Sequence, residues 1–167
     1  MTDDSRIRVG VNGARGQMGR ITLSALATCQ DMTCVFETDK GDDLRAAILD
    51  SKAGVVVDFT IPDAVFSNAM TIVESGSRPV VGTTGLKPAE LDELDRALVS
   101  RGLGGIVAPN FSLGALLLMK LSTEAARYMK HCEIIEYHHE KKIDSPSGTA
   151  LMTAERITDL LEENSPC

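Results

Sequence analysis

The chain has 167 residues, a length that suits one full domain, or one domain with part of a second, and allows a substantial core. A hydrophobic content of 43% and a charged content of 25% indicate a globular protein rather than a disordered one. The net charge of −7 disfavours nucleic acid as a ligand, and no apolar run approaches the roughly 18 residues of a membrane helix. We therefore expect neither nucleic acid nor a membrane as a partner.

The cysteines point to a reducing compartment. The sequence has four of them, without C-x-x-C spacing, and shows no signal peptide. Such cysteines are typical of reduced thiols, so we expect a cytoplasmic protein.

Short apolar runs alternate with helical patterns along most of the chain. In chain order, the sequence predicts a strand at 7–12, a helix at 18–29, a strand at 32–37, a helix at 43–51, a strand at 54–60, a helix at 62–76, a strand at 78–85 that runs into a glycine-rich loop, a helix at 87–102, a strand at 104–110 and a helix at 113–130. Strands separated by helices imply right-handed crossovers and a parallel sheet. The valine run Val55–Val57 shows no alternation, which indicates burial on both faces of that sheet. We predict an α/β fold, with a doubly wound, Rossmann-like domain over residues 1–130.

The pattern changes after Lys130. A longer and more polar strand is predicted at 132–143, followed by a helix at 148–163. Residues 131–167 are therefore predicted to form part of a second, α+β domain. One strand and one helix are too little to bury a core alone.

A glycine loop follows the first predicted strand. Gly13, Gly16 and Gly19 allow a tight turn, a close approach of pyrophosphate to the backbone, and close packing of the next helix. The helix N-terminus offers N–H groups to phosphates, so an acidic protein can still hold an anion there. Asp39 lies twenty residues after Gly19, where an acid would bind ribose hydroxyls, with Glu37 as a nearby competitor. This context favours a nucleotide site over a plain turn.

Three further segments follow predicted strands. They are "DFT" at 58–60, "GTTG" at 82–85 and "APNFS" at 108–112. In open α/β sheets, ligands bind outside the carboxyl ends of the strands. Each segment alone is more often a plain turn, but three at one rim favour a ligand site, and Gly82 and Thr84 could let a flat ring lie against the backbone.

The stretch "EYHHEKKIDSPSGTA" carries a cluster of histidines and lysines. On a strand, His138 and Lys142 share one face and His139 lies on the other, so the two histidines are poor joint ligands and we expect no metal. His138 and Lys142 suit proton transfer and anion binding. Gly148 and Thr149 open a helix whose N–H groups suit a carboxylate. The alternative is a solvated edge of charges that discourages strand aggregation.

Five motifs together resemble the dihydrodipicolinate reductase family: "GARGQMG", "DFTIPDA", "VVGTTGL", "APNFSLGA" and, most specifically, "EYHHEKKIDSPSGTA". The resemblance spans about Arg6 to Leu160. It implies a cytoplasmic, homotetrameric enzyme of lysine and diaminopimelate biosynthesis that uses NADH or NADPH. Its reaction would reduce the dehydrated form of 4-hydroxy-tetrahydrodipicolinate, a small dicarboxylate, to tetrahydrodipicolinate.

The resemblance also implies roles for individual residues. Asp39 would hold the adenine ribose, and Lys40 stands where a basic neighbour often reads the 2′-phosphate of NADP. His138 and Lys142 would handle the proton. The pyrophosphate would be lined by Gly13, Ala14, Arg15, Gly16, Gln17 and Met18. The nicotinamide side would be framed by Gly82, Thr83, Thr84, Ala108, Pro109, Asn110 and Phe111. The substrate carboxylates would be bound by His139, Gly148 and Thr149.

The sequence departs from the family in two ways. Gln17 replaces an arginine that is common in the first motif, which weakens a preference for NADP. Asp39 favours NADH, whereas the adjacent Lys40 favours NADPH. The sequence therefore does not choose between the two cofactors. Family members also continue well past Cys167. The chain is then either a shortened form of an ordinary enzyme or a non-catalytic relative that keeps dinucleotide binding or serves assembly.

Overall fold

The computed structural model describes residues 5–108, 110–129, 131–138, 140 and 145–163. The chain divides into two compact units, of which the first ends at Ala108 and the second follows it. The helix that begins at Leu113 therefore counts with the second unit. The sequence-based boundary near residue 130 stays a prediction.

The first unit is a five-stranded parallel sheet with alternating helices. Its elements are β1 (Ile7–Asn12), α1 (Gln17–Leu26), β2 (Met32–Thr38), α2 (Leu44–Ser51), β3 (Val55–Asp58), α3 (Pro62–Glu74), β4 (Arg78–Val81), α4 (Pro88–Ser100) and β5 (Ile106–Val107). The strand order is β2-β1-β3-β4-β5, and every neighbouring pair is parallel. The predicted Rossmann-like α/β class is confirmed.

Local sequence signals explain where these helices begin. Pro62 and Pro88 occupy first helical positions, where a missing N–H costs nothing. The Asp43 carboxylate caps α2 by accepting the Ala46 N–H at 2.9 Å.

The core of the first unit lies on both faces of the sheet. Val56 packs in a cluster with Ile48 and Ile72, whereas its neighbour Val57 packs against the cluster that contains Val9 and Leu26. Adjacent strand residues point to opposite faces, so helices cover the two sides. The burial predicted from the valine run is thus observed.

The described part of the second unit contains two helices, α5 (Leu113–Ala126) and α6 (Gly148–Glu163). They pack through a small cluster of Ala126, Ile157 and Leu160. Among all helices of the described ranges, none has both the length and the apolar composition needed to cross a membrane.

The strand predicted at 132–143 is wrong for the part that the structure describes. Residues 131–138 form no strand, while 139 and 141–144 lie outside the described residues. A strand needs a hydrogen-bonded neighbour, and within the described residues of this single chain no segment pairs with 131–138. The isoleucines of this segment would suit a strand, but within the described residues the segment finds no partner strand.

Candidate dinucleotide and substrate sites

A cleft opens where the strand order of the sheet reverses. The chain leaves β1 towards β2 on one side and places β3 on the other, which makes the carboxyl ends of β1 and β3 the switch point where such sheets bind ligands. The cleft has a volume of about 510 Å³. Its lining includes Gly13, Gly16, Asp39, Lys40, Thr60 and Asn68.

The glycine loop has no room for side chains at two of its positions. Gly13 has a φ of +81°, and a Cβ there would collide with the carbonyl oxygen of Phe59. A Cβ on Gly19 would collide with the Gly13 carbonyl oxygen and would lie 2.7 Å from the Cα of Ala14. The loop is therefore bare backbone at the cleft, and Gly16 precedes α1 without a side-chain cap. This arrangement fits a bound pyrophosphate.

Asp39 is held as an anion at the end of β2. Its two carboxylate oxygens accept N–H groups from Lys40 at 2.8 Å and from Arg15 at 2.9 Å. These bonds, the one from Lys40 first, hold the pKa of Asp39 below its usual value. Each oxygen still has a lone pair, so the carboxylate can accept hydroxyl donors of a ribose.

Asp42 is a second acid of the cleft, and sequence analysis missed it. Its Oδ2 accepts the Asp39 N–H at 2.9 Å and lies 3.7 Å from an Arg15 guanidinium nitrogen. Its position three residues after Asp39 was the available signal, because a short polar side chain there can close a turn.

Asp58, the last residue of β3, is fully buried beneath the cleft. Its carboxylate accepts the amides of Asn12 at 2.8 Å and Asn68 at 3.0 Å, and the hydroxyls of Thr60 at 2.8 Å and Thr83 at 2.9 Å. Sequence analysis placed "DFT" at the rim but missed this network. The register pairs Asn12 with Asp58, so two polar residues that end adjacent buried strands were the signal.

The predicted dinucleotide residues of the first unit divide into two groups. Gly13, Gly16, Asp39 and Lys40 come together in the cleft. The others do not line the cleft: the side chain of Ala14 is in the core, and those of Arg15, Gln17, Met18 and Thr84 are exposed. Thr83 is buried, and its hydroxyl donates to the Asp58 carboxylate. The N–H groups of Gly82 and Ala108 donate to the carbonyl oxygens of Asp58 and Val81, respectively.

The second unit has a pocket of its own, about 530 Å³ in volume. Its lining includes Asn110, Glu136, His138, Ser147 and Thr149. Glu136 accepts the Ser147 N–H at 2.8 Å through Oε1, and its Oε2 lies 3.7 Å from Nδ1 of His138. The Glu136 carboxylate thus places His138 beside the N-terminus of α6.

The start of α6 is fixed by two further bonds. The Ser147 hydroxyl accepts the Ala150 N–H at 3.1 Å, and the Asn110 amide donates to the Thr149 hydroxyl at 3.0 Å. Gly148 opens the helix at this point, and Phe111 is exposed in the same unit. Pro109, His139 and Lys142 lie outside the described residues.

Comparison with known proteins accounts for both halves of the chain. Residues 7–111 match the family model "Dihydrodipicolinate reductase, N-terminus", and residues 114–166 match "Dihydrodipicolinate reductase, C-terminus". The chain is 49% identical over 152 residues to the 4-hydroxy-tetrahydrodipicolinate reductase of Legionella pneumophila strain Corby, covering 91% of the chain and 63% of that relative. It is 48% identical over 154 residues to the enzyme of Coxiella burnetii strain Dugway 5J108-111, covering 92% of the chain and 64% of the relative.

Solved structures agree with this assignment. A dihydrodipicolinate reductase from Paenisporosarcina sp. TG-14, with dipicolinate bound, superposes with a TM-score of 0.81 at 32% identity, over 97% of this chain and 69% of that one. GenD2 of gentamicin A biosynthesis, in complex with NAD, has a TM-score of 0.61 at 19% identity, which indicates a shared fold alone. The chain spans about 63% of the length of the curated relatives that it matches. The chain belongs to the dihydrodipicolinate reductase family.

Proposed function

We propose that the chain is a 4-hydroxy-tetrahydrodipicolinate reductase. It reduces the dehydrated form of 4-hydroxy-tetrahydrodipicolinate to tetrahydrodipicolinate, with NADH or NADPH, in lysine and diaminopimelate biosynthesis. The observation that carries this proposal is that one chain contains matches to both halves of the family, at residues 7–111 and 114–166. The bound dipicolinate of the Paenisporosarcina enzyme supports a small dicarboxylate as the substrate class.

The first unit holds the dinucleotide in this proposal. Gly13 to Met18 line the pyrophosphate next to the N-terminus of α1, and the ionised Asp39 accepts hydrogen bonds from the adenine ribose. Bound nicotinamide supplies the hydride. The residues that frame its ring are Gly82, Thr83, Thr84, Ala108, Pro109, Asn110 and Phe111. Because the Thr83 hydroxyl is bonded to Asp58, the backbone of Thr83 is the part left for the ring.

The second unit binds the substrate and manages the proton. His139, Gly148 and Thr149 bind the substrate carboxylates, helped by the positive end of α6. His138 and Lys142 supply and hold the proton that quenches charge developing next to the reduced carbon. A dianionic substrate requires this local concentration of positive groups because the protein as a whole has a charge of −7.

We further propose a cytoplasmic homotetramer. Support comes from exposed apolar side chains of the second unit: Leu118 and Leu121 are each 64% exposed, and Ile135 is 72% exposed. Such a surface favours cover by further protein. A second observation, that the segment 131–138 forms no strand in the single chain, favours the second candidate function, a non-catalytic dinucleotide-binding or assembly module.

Replacement of Lys142 by Ala separates the two functions. In an absorbance assay of dinucleotide oxidation with freshly generated substrate, we expect the parent chain to turn over and Lys142→Ala to lose about 10²–10⁴-fold in kcat, the range of one positioned proton donor. Dinucleotide affinity, measured by fluorescence titration, should stay nearly unchanged.

The matched control is Lys141→Ala, which removes the same charge one residue away and should keep most of the turnover. Turnover of Lys142→Ala within a few-fold of the parent would refute the proton role. A parent chain that binds dinucleotide but oxidises none at high protein concentration would instead identify the binding module.

A further inference from the structure

We propose that the cleft of the first unit selects NADH over NADPH, and that Asp42 is the specificity-determining residue beside Asp39. This inference rests on the proposed dinucleotide function and names the ligand that the cleft prefers. Sequence alone left the choice open because Asp39 and Lys40 favour opposite cofactors. The structure adds Asp42 to this balance.

The charged lining of the cleft is net negative. Among the described residues that line it, Asp39 and Asp42 bring carboxylates, and Lys40 brings the one ammonium group. Arg15 adds a guanidinium nearby, but that group lies 3.7 Å from the Asp42 carboxylate. A 2′-phosphate would add close to two negative charges to this neighbourhood, whereas a 2′-hydroxyl adds none.

Neither carboxylate is free to move aside for a phosphate. The Asp42 carboxylate accepts the Asp39 N–H at 2.9 Å, and the Asp42 N–H donates to the Asp39 carbonyl at 3.0 Å, so reciprocal bonds close the turn. The Asp39 carboxylate is held by the N–H groups of Lys40 and Arg15. Displacing either acid would break bonds that shape the loop.

Hydrogen-bond polarity acts in the same direction. The ionised Asp39 carboxylate has only acceptor positions, which ribose hydroxyls satisfy and a phosphate dianion cannot. Lys40 and the nearby Arg15 guanidinium partly offset the repulsion, so the expected preference is moderate.

The test is fluorescence titration of the whole chain with NADH and with NADPH, which needs no turnover. We expect the parent to bind NADH about three- to tenfold more tightly than NADPH, from the repulsion of unit charges a few ångströms apart in water. Asp42→Asn keeps an oxygen for the Asp39 N–H but removes the charge. It should narrow the ratio of the two dissociation constants about three- to tenfold, chiefly by tightening NADPH.

Asp43→Asn is the matched control. Asp43 is the next residue, does not line the cleft, and caps α2, a role that asparagine fills equally well. This variant should leave the ratio unchanged. In the parent, the preference should also weaken as salt rises, because ions screen exposed charges.

The possible outcomes are distinct. A parent that prefers NADPH, an Asp42→Asn variant with an unchanged ratio, or equal shifts in Asp42→Asn and Asp43→Asn would each overturn the role of Asp42. A parent that binds neither dinucleotide would refute the proposed function itself, and the inference with it.

Discussion

Asp58 shows how one buried acid can organise the lining of a cleft without belonging to that lining. Four side-chain donors converge on its carboxylate, and three of them, Asn12, Thr60 and Asn68, also line the cleft of the first unit. A buried carboxylate is tolerated when hydrogen bonds replace its hydration. The shape of the cleft floor therefore depends on a residue that is inaccessible to ligand.

We expect Asp58→Asn to lower the free energy of unfolding by about 2–4 kcal/mol. The substitution replaces one carboxylate oxygen by an amide nitrogen, which cannot accept the hydrogen bonds that the oxygen receives from neighbouring side chains. Urea denaturation measures this change. The control is Asp50→Asn, an exposed site where the effect should stay within about 0.5 kcal/mol. A loss below 0.5 kcal/mol at Asp58 would contradict the network's role.

At the scale of elements, the packing of α1 against the glycine loop sets where the N-terminus of α1 lies beside the cleft. Gly19 lies within α1, and its Cα faces the Gly13 carbonyl oxygen so closely that a methyl group cannot fit. The helix must therefore retreat if Gly19 gains a side chain. Retreat would draw the N–H groups of its first turn away from the cleft.

We expect Gly19→Ala to cost about 1–3 kcal/mol of folding free energy through overpacking and to weaken NADH binding at least tenfold. Thermal unfolding and fluorescence titration measure the two effects. Gly104→Ala is the control, since no atom lies within 4 Å of a Cβ placed there. Equal behaviour of the two variants would mean that close packing at Gly19 is unimportant for the site.

Sequence predicted the elements of the first unit well because each strand and helix carries local signals. β1 and β4 run directly into Gly13 and Gly82, and Pro62 and Pro88 mark helix starts. The strand predicted at 132–143 failed for residues 131–138 because pairing depends on a neighbour, which is not encoded locally. Asp39 was predicted from its spacing, whereas the partners of Asp58 come from four different elements or loops and become neighbours only through folding.

At the scale of the whole molecule, the two units differ in how much apolar core holds them. The first unit has three buried clusters, and the second has one small cluster in its described part. Local stability follows such differences in buried apolar contact. The second unit should therefore open more often than the first.

Hydrogen exchange with peptide-level mass spectrometry checks this expectation. Amides in α5 and α6 should exchange at least about tenfold faster than those in β1 and β3. Saturating NADH should slow exchange around the glycine loop, because ligand bound only to the folded state shifts the opening equilibrium. Equal protection in both units would show that the second is stabilised by contacts outside its small core.

The sheet has unequal borders, since β2 contributes seven residues on one side and β5 only two on the other. The β5 border has too few free backbone N–H and C=O groups to pair with a strand of another molecule. Strand pairing between molecules is therefore a risk mainly at the β2 border, where Glu37, Asp39 and Lys40 place charges at the end of the strand. The charged residues at the rim of the proposed nucleotide site thus also disfavour strand-by-strand polymerisation.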